Sequence, residues 1–244
     1  MKKLKTAIAA IMLVTAVIMT ACNPEDDPNN GNNNGGGNNG GGDADDHEYV
    51  DLGLPSGTLW ATCNIGADTP EGFGDCFAWG EPETKTTYEW STYKYCNGTK
   101  DQLTKYCNMA NYGNNGFTDN LTTLVSEDDA ATVNWGDSWH MPTMAEWEEL
   151  CQNTTNTWTT QNGVQGRLFT ASNGKSIFLP ASAETTTVTN PSGGVASVGC
   201  YWSSSLYAEY PCNAWHFYFG LDEYFMGSDY RSYGQSVRAV RSAK

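Results

Sequence analysis

The chain has 244 residues, with 28 acidic against 13 basic side chains, a net charge of −15, 39% apolar residues and three histidines. Such acidity repels nucleic acid and anionic lipid, and no basic patch interleaved with aromatics exists, so nucleic-acid binding is excluded. No CxxC, CxxC…HxxxH or HExxH spacing occurs, so a Cys/His zinc site is excluded too, and neither metal nor cofactor is expected.

The N-terminus reads as an export signal. Met1-Lys2-Lys3-Leu4-Lys5 is a basic start, and the apolar run from Ala7 to Met19 is too short to span a bilayer comfortably. It ends at Met19-Thr20-Ala21-Cys22, where two small residues before a cysteine resemble a bacterial lipobox. Residues 1–21 are therefore expected to be a lipoprotein signal peptide, with Cys22 lipidated as the mature first residue. The acidic run Asn23-Pro24-Glu25-Asp26-Asp27 is similar to the surface-export signal of Bacteroidetes lipoproteins. An outer-membrane protein exposed at the cell surface is the expected localisation, with the lipid anchor as its sole membrane contact. Residues 22–46, almost pure Asn and Gly in their middle, form a tether that cannot bury apolar surface. Its reach is roughly 25–30 Å by the Gly-rich coil relation.

Residues 47–244 form a head large enough for one core. Without residues 1–21, and so without Lys2, Lys3 and Lys5, the chain keeps 10 basic against 28 acidic groups, a net of −18. Tyr49 to Leu54 and Thr58 to Ala61 read as strands around a Pro55-Ser56-Gly57 turn, and Phe73 to Trp79 as an aromatic strand. From Pro82 to Asn120 the chain reads mostly as loop. Ser126 is a candidate cap for a helix through Val133. Thr143 with Glu146 forms a capping box for a helix over Ala145 to Cys151, with Met144, Trp147 and Cys151 on one face and Glu146, Glu148 and Glu149 mostly solvated. Short strands follow at Asn156 to Thr160, Arg167 to Ala171 and Ser176 to Pro180, divided by the tight-turn pairs Asn162-Gly163 and Asn173-Gly174. Gly199 to Ser204, Ala214 to Phe219, Tyr224 to Met226 and Ser236 to Arg241 complete an α+β fold with two helices and a later antiparallel sheet. After Cys22 seven cysteines remain, an odd number, and Cys96 with Cys107 is the favoured disulfide.

The functional clue lies near the C-terminus. Trp215, Phe217 and Phe219 occupy alternate places of a strand, which assigns them to the core and turns His216, Tyr218 and Gly220 outward. Six of the 13 tyrosines fall between Tyr207 and Tyr233, a stretch without Lys. Tyr, Ser, Gly and Asp on a rigid frame make a binding surface, because Tyr brings large contact area at low entropic cost. The expected ligand-binding residues are Tyr207, Tyr210, His216, Tyr218, Asp222, Tyr224, Asp229, Tyr230, Ser232 and Tyr233. The same composition also suits a tyrosine-rich outer face without a ligand. No catalytic residue is signalled: His140, before Met141-Pro142, reads as a helix-entry packing residue.

Several blocks in order resemble one family: Tyr49-Val50-Asp51-Leu52-Gly53-Leu54-Pro55-Ser56-Gly57-Thr58-Leu59-Trp60-Ala61, Phe77-Ala78-Trp79-Gly80-Glu81, Trp139-His140-Met141-Pro142-Thr143, Tyr201-Trp202-Ser203-Ser204 and Ser236-Val237-Arg238-Ala239-Val240-Arg241. The head is similar to the Fibrobacter-type major paralogous domain of exported lipoproteins, related to the formylglycine-generating-enzyme variety of the C-type lectin fold. That resemblance implies a C-type-lectin-like ligand-binding head. One branch of the fold is diversified by retroelements that randomise template adenines near the gene's end. Asn codons of the AAC type then give Tyr, Asp, Ser, Gly, His and Cys but never Trp, Met, Glu, Gln or Lys. Within residues 200–241, Trp202, Trp215, Met226 and Gln235 are unreachable by that route, while Cys212, Gly220 and the tyrosines are reachable; Glu209 and Glu223 fall outside the pattern. The implied protein is a lipid-anchored receptor or adhesin for an unidentified protein or glycan on another cell, phage or host surface, with a monomeric head. The alternatives are an undiversified surface lipoprotein of the same family and an oxidase or hydrolase on this fold. Glu81-Pro82 and Trp135-Gly136-Asp137 are only faintly similar to parts of the calcium site of lectins, and no oxygen-rich cluster supports them.

Overall fold

The computed structural model describes residues 47–181 and 198–243. The expected signal peptide, lipidated Cys22 and tether lie outside the described residues. The head is mostly antiparallel strand with two helices, an α+β arrangement.

Three sheets build it. Tyr49–Asp51 (β1) and Thr58–Asn64 (β2) pair with Arg238–Ser242 (β11) in the order β1-β2-β11. Thr154–Gln161 (β4), Val164–Ala171 (β5) and Ser176–Pro180 (β6) form a meander. Its first turn is Asn162-Gly163, and both residues have positive φ, 47° and 85°, the geometry that makes this pair a tight hairpin. The third sheet orders Cys76–Phe77 (β3), Gln235–Ser236 (β10), Gly199–Leu206 (β7), Asn213–Phe219 (β8) and Tyr224–Tyr230 (β9) as β3-β10-β7-β8-β9. Only Cys76–Phe77 of the expected Phe73 to Trp79 strand is extended.

The two helices confirm one cap and correct the other. Thr143 accepts from the Glu146 N–H at 3.2 Å while Glu146 accepts from the Thr143 N–H at 2.8 Å, capping Met144–Asn153 (α2). Ala130–Trp135 (α1) is capped by Asp129, whose Oδ1 accepts from Ala131 and Thr132, and not by Ser126. Ser126 opens a 3-10 turn instead. Asp129 also accepts from Met141 N, so it joins two segments where Ser126 would serve one.

The five-stranded sheet separates two aromatic cores. Tyr201, Phe217 and Phe219 face Trp147, Leu150 and Phe169. Trp202 and Ala214 face Phe77, Trp79, Tyr88, Tyr93 and Tyr106. Tyr201 and Trp202, adjacent in β7, are both fully buried on opposite faces. Indole groups tie the layers: Trp79 Nε1 donates to Ser203 O at 2.8 Å, Trp202 Nε1 to Phe77 O at 2.7 Å and Trp147 Nε1 to Trp202 O at 3.3 Å. Buried Arg238 donates to Asn64 Oδ1, Ala61 O and Phe178 O, joining β11 to β2 and β6. The expected disulfide is not formed: Cys96 Sγ contacts Trp90 O at 3.1 Å and Cys107 Sγ contacts Met109 O at 3.2 Å, and all seven described cysteines are thiols.

Phe217 is the centre of the first core, stacking on Trp147 with centroids 4.8 Å apart. Phe217→Ala is expected to cost about 3–5 kcal/mol in denaturant unfolding. Trp215→Ala, two positions away on the same strand, is expected to cost about 1 kcal/mol. The opposite ranking would contradict this division of the strand.

Candidate ligand-binding surface

Strands β8 and β9 pair without interruption from Asn213↔Tyr230 to Phe219↔Tyr224. Opposite residues of an antiparallel pair share a face. Trp215, Phe217 and Phe219 therefore share one face with Ser228, Met226 and Tyr224, while Ala214, His216 and Tyr218 share the other with Asp229, Gly227 and Phe225.

This register corrects several expected positions. His216 is buried, not outward, because the second core covers its face. Its ring lies over Gly227, where a Cβ would stand 2.7 Å from Nε2, and its Nδ1 lies 3.1 Å from Gln235 Oε1. Burial pushes the His216 pKa down, against the pull of Asp229, so the ring is neutral at physiological pH. Ser232 is fully buried, and Gly220 and Cys212 are buried as well. Trp215, expected in the core, is half-buried and meets Tyr207 edge-on at 4.8 Å.

The remaining expected residues do not form one patch. Tyr207, Tyr210 and Tyr224 fall with Trp215, Ser228 and Met226 along one face; Tyr207 stacks on Tyr210 with centroids 6.0 Å apart. Tyr218 lies on the opposite face, stacked on Phe225 at 4.9 Å. Tyr230 and Tyr233 make a third cluster with Trp90, and Lys100 stands 5.5 Å above the Tyr230 ring. Asp222 is exposed in the β8–β9 turn. Asp229 is committed locally, accepting from Tyr230 N at 2.7 Å and Gln235 Nε2 at 3.4 Å.

Sequence reasoning missed Leu221 and Phe225, which with Tyr210 and Tyr224 are large apolar side chains left open to solvent: 62%, 47%, 53% and 41% exposed. Asn213 was the available signal for Trp215. It shares that residue's parity, so a polar residue marked where the core ends.

Arg167 of β5 braces the turn from below. Its Nη2 donates to Gly220 O at 2.5 Å and lies 3.3 Å from Leu221 O and Glu223 O, and its guanidinium sits 5.1 Å from the Tyr224 ring centre. The exposed turn is thus held rigid by a cation bonded to carbonyls.

Other polar groups are engaged in bracing. Asp128, buried, accepts from Tyr95 and Tyr106 hydroxyls and pairs with Lys105 Nζ at 2.6 Å. Burial pushes its pKa up, but Lys105 and the two phenols outweigh that and hold it low. Glu81 pairs with Lys85 at 2.6 Å and accepts from Lys94 N, so both oxygens are occupied. Among the described residues no group of three or more His, Cys, Asp or Glu is arranged to hold a metal ion.

Glu146 is not solvated as expected: it lies 3.1 Å from His140 Nε2. Burial lowers the His140 pKa, but Glu146, with Asp129 behind it, raises it overall above 6.5. Burial likewise works against Glu146, yet His140 and the Thr143 N–H hold it below 4.5. The His140 contribution is fully present below its unfolded value and lost as pH rises through the raised one; the Glu146 contribution is present above its unfolded value and lost as pH falls through the lowered one. His140→Gln is expected to destabilise most between about pH 4.5 and 6.5, by about 0.5–1 kcal/mol for a half-exposed pair. Urea unfolding across pH checks this, and a pH-independent difference contradicts it.

No protein-family model, curated protein or solved structure matches the chain.

Proposed function

We propose that the protein is a lipid-anchored surface receptor or adhesin with a C-type-lectin-like head that captures a protein or glycan without chemistry on it. The observation that carries this reading is the β8–β9 hairpin. Leu221, Tyr224 and Phe225 stay exposed there, with Tyr210 in the preceding β7–β8 loop, on a frame fixed by two cores and Arg167. Large aromatic area on a preorganised support is what binding energy is drawn from, since few rotamers freeze on contact. The basic start, the apolar run and Cys22 support export and anchoring.

Diversification by a retroelement is part of this proposal, restricted to accessible positions. Tyr207, Tyr210, Tyr218 and Asp222 are open to variation at the surface, while Tyr224, exposed but packed on Phe217 and Arg167, tolerates fewer side chains. His216, Cys212 and Ser232 belong to the buried frame, where substitution disturbs packing.

The reading is tested by presenting the intact protein to arrays of glycans and extracellular proteins, then titrating whatever it retains. Tyr210→Ala and Tyr224→Ala are each expected to weaken binding about tenfold or more, as aromatic anchors do. Val133→Ala, on exposed helix surface away from the hairpin, is expected to change nothing. Absence of any retained ligand, or equal affinity in all variants, would sink the receptor reading.

A further inference from the structure

Among the described residues no strand pairs with the outer edge of β9, and the ladder fixes which of its backbone groups face outward. Arg231 N donates to Cys212 O at 3.1 Å and Gly220 N to Glu223 O at 2.8 Å. Both pairs belong to the same register as β8–β9 and bracket it. In an antiparallel ladder the hydrogen-bonded pairs alternate with non-bonded ones. Phe225, Gly227 and Asp229 therefore exchange hydrogen bonds with Tyr218, His216 and Ala214. Tyr224, Met226 and Ser228 turn their N–H and C=O groups away from β8. Tyr230 would be the next, but its N–H is taken by Asp229 Oδ1 and its carbonyl by Tyr233 N.

Sheet edges ordinarily carry a guard: a Lys or Pro, a bulge, or a very short strand. The edges β3 and β1 are two and three residues long. β11, at the other edge of its sheet, is met by the His140↔Val240 bridge. β4 is long, but its sequence Thr154-Thr155-Asn156-Thr157-Trp158-Thr159-Thr160-Gln161 is polar except for Trp158, which packs against the first core. β9 has seven residues, an unbroken register and no Lys, Arg or Pro, with exposed Tyr224 and Phe225 on its two faces. The hairpin and its approach, Tyr207 to Tyr230, hold four carboxylates, Glu209, Asp222, Glu223 and Asp229, and neither Lys nor Arg.

We propose that this edge binds a partner polypeptide by strand addition, the occupant being an extended segment with basic residues at its flanks. The proposal rests on the receptor reading and names how its ligand is held. Main-chain groups of Tyr224, Met226 and Ser228 supply the bonds, Tyr224 and Met226 on one face and Phe225 on the other contact alternate side chains, and Asp222 and Glu223 attract the basic flank. A second copy of this chain fits less well, because two hairpins of like negative charge would be brought edge to edge.

The probes are three capped ten-residue peptides: alternating Val and Thr flanked by Lys, the same core flanked by Glu, and the Lys-flanked peptide N-methylated at alternate residues. They are titrated against the intact protein. The Lys-flanked peptide is expected to bind, the Glu-flanked one at least about tenfold more weakly, and the N-methylated one not at all. Met226→Pro and Ser228→Pro remove outward N–H groups without breaking the β8 ladder. Each is expected to weaken binding about tenfold or more with melting temperature within a few degrees of the parent. Two independent variants guard against one misfolding, and Thr160→Pro on the β4 edge is expected to bind as the parent does. No peptide binding, equal binding of the N-methylated peptide, or unchanged affinity in both Pro variants would overturn strand addition. Equal affinity for Lys and Glu flanks would overturn the basic occupant. Self-association abolished by Met226→Pro would overturn it too and make a second copy the occupant. An array ligand lost in Tyr210→Ala but kept in both Pro variants would leave the receptor reading standing and end this one.

Discussion

Two-sided burial of the β7–β8 pair is the constraint on which this molecule depends. Tyr201 enters one aromatic core and Trp202 the other, and both side chains are fully buried. A strand buried on one face tolerates a change of register only at the cost of exposing that face. A strand buried on both is pinned more tightly, because any slip exposes one core and inserts polar groups into the other. The indole N–H groups of Trp79, Trp147 and Trp202, each bonded to a backbone carbonyl distant in sequence, convert packing into fixed registry.

That rigidity accounts for what lies beyond it. Among the described residues β9 is the outermost strand of its sheet, joined only to β8, and its residues run from exposed to half-buried. Such an edge frays unless it is anchored at both ends. Arg167 holds the carbonyls of the turn at one end; Arg231 N on Cys212 O closes the ladder at the other, with the Arg231 guanidinium donating to Tyr106 O at 2.9 Å. Both cations satisfy buried carbonyls, where an unpaired oxygen would be costly. The hairpin thus shows aromatic area to solvent while its backbone stays ordered.

Local chemistry was legible in the sequence, and partnership across the sheet was not. The Thr143-Glu146 box and the Asn162-Gly163 turn follow from contacts within a few residues, and the structure reproduces both. Period-two alternation located β8 but assumed a single core, so it turned His216 outward and Trp215 inward. What buries His216 is Gly227, eleven residues on, together with the Trp79 side of the molecule; neither leaves a mark on the strand's own pattern. Tyr88, Tyr93, Tyr95 and Tyr106 fell in a segment read as loop, and they form core because their hydroxyls find carbonyls and Asp128. Irregular backbone has no periodicity for a sequence to display.

Amide-resolved hydrogen exchange across the seven residues of β9 tests the open-edge geometry most directly. The ladder predicts a sawtooth: Tyr224, Met226 and Ser228 exchange fast, while Phe225, Gly227 and Asp229 are protected. Uniform protection would mean the edge is already covered, and an inverted sawtooth would mean the register is displaced by one residue; either contradicts the account.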